Sequence, residues 1–220
     1  MPTRRTRSTR KKSRPTTRRK ALAPVKVRSG RGIMDRLRER IALATESISN
    51  ERVLELLSEG LAVEKGGTQL YELAFERSTD PEHRKKYKMY LMQTHRHARL
   101  LSGAIRKLGG DPRYKSPGAM AQERLVEAML EIDVPAELRE LKDAEHLLLA
   151  ETKDHMDWEF LKKITARVES DTRAILTDIV SQVEDEEDEH LEFARKAVEK
   201  LSLEVAMELR QRRRRSDLAA

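Results

Sequence analysis

The sequence predicts an all-α protein of four long helices, with a shorter helix inside one long crossover, and three observations carry that expectation. Aromatic residues make up 4% of the 220 residues and charged residues 38%, a composition of long, solvent-washed helices rather than of a sheet. Glycine (9) and proline (7) are few and gather at a handful of points, which punctuate the chain clearly. Between those points apolar residues recur at alternating steps of three and four, the period of a helix with one buried face.

The elements follow in order. Residues 1–34 carry 13 Lys or Arg and no Asp or Glu, and Thr3 to Lys20 are almost all Arg, Lys, Thr, Ser and Pro. Such a stretch cannot bury enough apolar surface to offset the entropy of ordering, so residues 1–32 are expected to be a disordered basic tail. A short lead-in helix is expected within 33–48, from about Ile33 to Thr45. Ser49 or Asn50 can cap the first long helix, which runs to about Arg77 and stops before Ser78-Thr79-Asp80-Pro81. The second ends at Gly109-Gly110. A connection of about two dozen residues follows, with Ser116-Pro117-Gly118 and a short helix from Ala119 to Glu131, too long for a tight hairpin. The third long helix spans about Pro135 to Val168, and the fourth runs from about Asp171 towards a basic C-terminal tail at 210–220. The helical domain is thus expected over 49–209.

Charge and composition narrow the function. The net charge of +7 hides an acidic body, because residues 35–209 hold 27 basic side chains against 37 acidic ones. The basic tail (residues 1–31) suits phosphate backbones, so nucleic acid is a possible partner; clinging to the acidic body, to a neighbouring subunit, or to nothing is the competing expectation. The tail has no aromatic residue for base stacking, and its dense arginines lack the apolar face of a mitochondrial presequence. Without cysteine, any metal must be held by carboxylate and imidazole, which suit iron or manganese and also zinc. No apolar run approaches the roughly 20 residues that span a bilayer, and no secretion signal is visible, so no membrane partner and a cytoplasmic location are expected.

The chemistry appears when each apolar seam is followed. The fourth helix reads Leu176, Val180, Val183, Glu187, His190, Ala194, Ala197, Leu201, with Glu187 and His190 one turn apart on the inward face. Their acidic neighbours, Glu184 to Glu186, Asp188 and Glu189, fall mainly on or towards the outer faces. The first helix gives Leu57, Leu61, Glu64, Thr68, Tyr71, Phe75, and the third Leu141, Ala144, Leu148, Glu151, His155, Trp158, Leu161. In both, an aromatic residue follows the seam glutamate by seven positions, as if the two were copies of one plan. The second helix gives Tyr87, Tyr90, Thr94, His97, Leu101, Ala104, Leu108. Buried unpaired carboxylates cost on the order of several kcal/mol each unless protonated, paired or bound to a cation. Metal binding is therefore weighed against Glu–His pairing inside the helices, and against exposure of some of these groups by helix rotation.

From about Ser49 to Leu201 the pattern resembles the ferritin-like superfamily of di-metal carboxylate proteins, which includes bacterioferritins and rubrerythrins. The resemblance implies a four-helix bundle made of two helical hairpins joined by one long crossover between helices 2 and 3. It implies metal ligation by Glu64 and Glu151 as the single glutamates, by Glu187 and His190 as one Glu-x-x-His pair, and by His97 as half of the other. Tyr71 and Trp158 match the family's seam aromatics. Thr94 departs from the pattern, standing where a glutamate is expected. Three carboxylates leave two divalent ions a formal +1, so one iron, an altered pair of irons, or a lapsed site all follow, with Gln93 and Asp154 as helpers set slightly off the seam. His95 is off the seam as well, and His155 is expected beside the site rather than in it. Gly66, Gly67 and Thr68 are expected to leave room for an oxidant beside Glu64.

Binding of iron with oxidation of Fe(II) by oxygen or peroxide is the implied function, with manganese or zinc as other metals and the tail as a tether to nucleic acid. A scaffold with a lapsed site is the alternative, and a diiron oxygenase acting on an organic or RNA substrate a further one. By analogy, a homo-oligomer, most simply a dimer, is expected.

Overall fold

The computed structural model describes residues 47–219, and among them every regular element is helical. The basic tail and the lead-in helix expected within 33–48 lie outside the described residues, apart from residues 47–48, which are not helical. The elements are α1 (Asn50–Arg77), α2 (Pro81–Lys107), α3 (Pro117–Glu131), α4 (Arg139–Ile164), α5 (Ser170–Ser181) and α6 (Glu184–Ala219), with single 3-10 turns at Ala136–Leu138 and Thr165–Arg167.

Local chemistry sets the ends. Ser49 caps α1 by accepting from the Arg52 amide. The turn into α2 is closed from both sides: Asp80 accepts from the Glu82 and His83 amides with Pro81 in the first turn, and the Arg84 guanidinium donates to the Phe75, Glu76 and Ser78 carbonyls left open at the end of α1. Glu140, reaching over from α4, accepts from the hydroxyls of Ser78 and Thr79. At the far end of α2 the chain turns through Gly109 at φ 80°, a conformation that needs glycine, and the Gly110 amide donates to the Ile105 carbonyl. Ser58 of α1 then fastens the crossover, donating to the Tyr114 carbonyl and accepting from the Ser116 amide, while Ser116 caps α3.

α1 packs on α2 with Gly67 opposite Thr94 and Tyr71 beside Tyr87, which makes the pair antiparallel. α4 and α6 also run antiparallel, with Glu151 beside His190 and Lys162 beside Glu184. Glu64 meets Trp158 across α1 and α4, and Arg96 meets Glu186 across α2 and α6. The buried residues form two large apolar clusters along this packing. One holds Leu57, Leu61, Leu101, Trp158 and Val183; the other holds Leu70, Tyr71, Tyr87, Tyr90 and Leu147. Glu64, His97, Glu151, Glu187 and His190 lie in sequence between the two on every helix, as one polar layer shielded by apolar residues on either side.

Three expectations change. The fourth helix is broken at Gln182 and Val183, whose amides donate to Ile179 and Val180 in tight i−3 bonds. The break starts a new helix at the acidic run, so Glu184, Asp185, Glu186 and Glu187 occupy its first turn, where the helix dipole favours negative charge. The seam survives, with Val180, Val183, Glu187 and His190 all buried. The basic C-terminal segment is helical, since α6 continues through it to Ala219; no glycine or proline follows Pro135 to stop it, and arginine is a good helix former. The third seam is rotated slightly: Leu147 and Asp154 are buried, while Leu148 and His155 are only half-buried.

Candidate metal centre

The five residues singled out by the seams meet in one place, and each is at most 2% exposed. They form two groups whose ligand atoms lie within 4.8 Å of one another: Glu64, His97 and Glu187 in one, Glu151, Glu187 and His190 in the other, with Glu187 common to both. His97 Nδ1 is 2.9 Å from Glu187 Oε1 and 3.4 Å from Glu64 Oε1. His190 Nδ1 is 3.5 Å from Glu151 Oε2 and 3.7 Å from Glu187 Oε1. The imidazoles stack with centroids 5.8 Å apart.

The outward nitrogens fix which way the inward ones face. His97 Nε2 lies 2.9 Å from Glu186 Oε2, and His190 Nε2 lies 3.0 Å from Gln93 Oε1. An Nε2–H that donates to these oxygens leaves Nδ1 with its lone pair towards the centre, the arrangement of a metal-ligating histidine. Burial works against the charge on Glu186, but Arg96 and His97 outweigh it and hold that carboxyl below its usual range. Gln93, one position off the seam, thus bears on the centre through His190 rather than as a replacement for Thr94.

The two aromatics found seven positions after the seam glutamates cross over, each serving the other helix. Trp158 Nε1 donates to Glu64 Oε1 at 2.9 Å, while Tyr71 sits beside Glu151 with its ring 5.9 Å from that of His190. Once the register of antiparallel α1 and α4 puts Trp158 on Glu64, Tyr71 falls beside Glu151, since a seven-residue offset on one helix is matched by the same offset run backwards on the other.

The inward atoms lack well-formed hydrogen bonds. Glu64 Oε2, Glu151 Oε2, both Glu187 oxygens and the Nδ1 atoms of His97 and His190 are buried and unsatisfied, their mutual contacts being poorly aligned for hydrogen bonds. Burial raises the Glu187 carboxyl to about 8 against the pull of His97, and holds Glu64 well above the carboxylate range despite the Trp158 donor. Asp154 joins them. It is 5% exposed with Oδ1 unpartnered, and burial, followed by the charges of Glu187, Glu64 and Glu151, pushes its carboxyl up. The layer therefore contains four buried carboxylates rather than three. A pair of divalent cations matches them in formal charge, so the residues present fit such ions.

Thr94 is buried, and its methyl lies 3.2 Å from where a Cβ on Gly67 would stand. A Cβ on Gly66 would come within 2.5 Å of Val126 on α3. The two glycines thus serve close packing by α2 and α3, and the cavity of about 240 Å³ that has Gly66 in its wall is not lined by Glu64, beside which room for an oxidant was expected. His95 is exposed. His155 points away from the inward imidazoles; its Nδ1 lies 3.4 Å from Asp188 Oδ1. Sequence reasoning missed Glu186, which it assigned to an outer face, because only the approach of α2 to the first turn of α6 turns an outer-edge glutamate onto His97. Among the described residues no helix is long and apolar enough to cross a membrane. No family model matches the chain, and no curated protein matches it by sequence.

Proposed function

We propose that the protein is a ferritin-like four-helix bundle that binds two divalent metal ions, iron foremost, at Glu64, His97, Glu151, Glu187 and His190, and that it handles iron by oxidising Fe(II). The observation that carries this reading is the pair of ligand groups sharing Glu187, each with an imidazole whose Nδ1 faces inward because Nε2 is held from outside. A layer built for internal pairing would satisfy its own donors and acceptors; here six inward ligand atoms on five residues lack a well-formed hydrogen bond. The packing supports the bundle: α1 against α2 and α4, and α6 against α4 and α2, with α3 inside the long crossover.

Bound iron would supply one-electron chemistry towards oxygen or peroxide. The chain's own part is orientation, charge and dryness. Glu186 and Gln93 fix the imidazole rings, Trp158 holds Glu64, and the two apolar clusters limit water. The cavity that reaches Glu187 is about 80 Å³, well below the roughly 300 Å³ or more of clefts that enclose an organic ligand, which favours small inorganic reactants over an organic or RNA substrate.

The lapsed-site reading rests on Thr94, which leaves α2 with a single ligand. Anaerobic Fe(II) loading followed by desalting separates the two. Near two irons per chain, lost in a Glu187→Ala, His190→Ala variant, and oxygen-dependent turnover support the proposal. Iron, manganese and zinc all at the variant's background would leave a scaffold. Attachment to nucleic acid through residues 1–31 rests on charge alone.

A further inference from the structure

We infer that the small cavity where α4 meets the α5–α6 junction is the path by which a divalent cation reaches the centre, with His155 and Asp188 as a transient holding pair at its mouth; this rests on the metal-centre reading above. The cavity, about 80 Å³, has Glu187 in its wall and His155, Glu159, Lys162, Glu184 and Asp188 around it. Exposure falls along the line of ligands, from 67% at the Asp188 side chain to 24% at His155 and 2% at Glu187. The inner end is an unpartnered acceptor, since both Glu187 oxygens lack hydrogen bonds.

The charged neighbours at the mouth are already committed. Lys162 is tied to Glu184, and Glu159 to Lys163 at 2.5 Å. What remains for an incoming ion is His155 and Asp188, whose Nδ1 and Oδ1 face each other at 3.4 Å without a lysine between them, and then Glu187. A volume of about 80 Å³ holds two or three waters at roughly 30 Å³ each, enough for a partly hydrated ion. Carboxylates converging on such an opening raise the local cation concentration and the rate of capture. Lys162 acts against this, standing beside the mouth as a positive charge restrained by Glu184. The cavity beside Gly66, about 240 Å³, is no equivalent, because Lys65, Glu123 and Val126 line it and none of the five inward residues does.

The test uses the metal-free full chain mixed rapidly with Co(II), whose visible absorption reports both the rate of uptake and the final occupancy. A His155→Ala, Asp188→Asn double variant is expected to fill the centre to the same extent but about tenfold more slowly. Lys162→Met is expected to fill it faster than the parent. Unchanged rates in the double variant at full occupancy overturn the path and leave the metal-centre reading standing. A fall in its final occupancy, with helicity intact, also overturns the path, by making the pair part of the centre itself. A parent protein that takes up no cobalt overturns both readings.

Discussion

The two halves of the candidate centre share Glu187 and one plan, yet they are held differently. Around His97, the outward nitrogen faces a carboxylate, Glu186, which Arg96 keeps ionised, and the glutamate of that half receives an indole N–H from Trp158. Around His190, the outward nitrogen faces the neutral amide of Gln93, and the companion aromatic is Tyr71, whose hydroxyl has no well-formed hydrogen bond and whose acidity burial suppresses, with Glu151 adding to the effect. An anionic outer partner makes an imidazole a stronger donor than a neutral one does. The His97 half should therefore be the tighter site, and the two ions should fill in sequence. Thr94 sharpens the contrast: α6 gives the centre two candidate ligands where α2 gives only His97.

The largest expected effect comes from removing what the halves share. Glu187→Ala should abolish binding of both ions, whereas Glu64→Gln and Glu151→Gln should each spare one, as read by metal analysis after desalting. Retention of one ion in Glu187→Ala would show that the halves are independent. Next in size is the outer partner. Glu186→Gln should weaken the tighter site by about 10- to 100-fold, and Gln93→Leu should weaken the other by less, in a competitive titration against a chromophoric chelator. Equal losses would remove the asymmetry.

The pH dependence of the metal-free protein is a further test. The folded Glu187 carboxyl is raised to about 8 from 4.5, and Glu64 and Asp154 are raised in the same direction, so between these values the folded state holds protons that the unfolded chain releases. Stability should be fully present below about pH 4.5 as far as these groups are concerned, and should fall as pH rises towards 8. Urea unfolding of chelator-treated protein should show a lower midpoint at pH 8 than at pH 6, and divalent metal should narrow the gap. A midpoint independent of pH would mean that the carboxylates are paired in a way the geometry does not show. The smallest effect lies outside both halves. Gly66→Ala, whose Cβ would meet Val126 at 2.5 Å, should cost about 1–3 kcal/mol without changing metal stoichiometry, while Gly103→Ala, with open space around it, should stabilise by about 0.5–1 kcal/mol.

The sequence by itself determined the helical class, most helix ends and the five inward ligand candidates. These depend on local rules: a serine, an aspartate or a proline at a helix start, a glycine after its end, and a three-four stripe in which an acid stands out against apolar neighbours. Such rules work one helix at a time. They could not show that Trp158 serves Glu64 and Tyr71 sits by Glu151, because that depends on the register of α1 against α4. They placed Glu186 on an outer face, although the approach of α2 brings it onto His97, and set Asp154 slightly off the seam, although a small rotation of α4 buries it. The break at Gln182 and Val183 was also out of reach, since no glycine or proline marks it and the seam runs through it unbroken. Which side chains lie on an inward face follows from the period of a helix; which of them meet, and what holds each from behind, is decided only when four faces are brought together at one level.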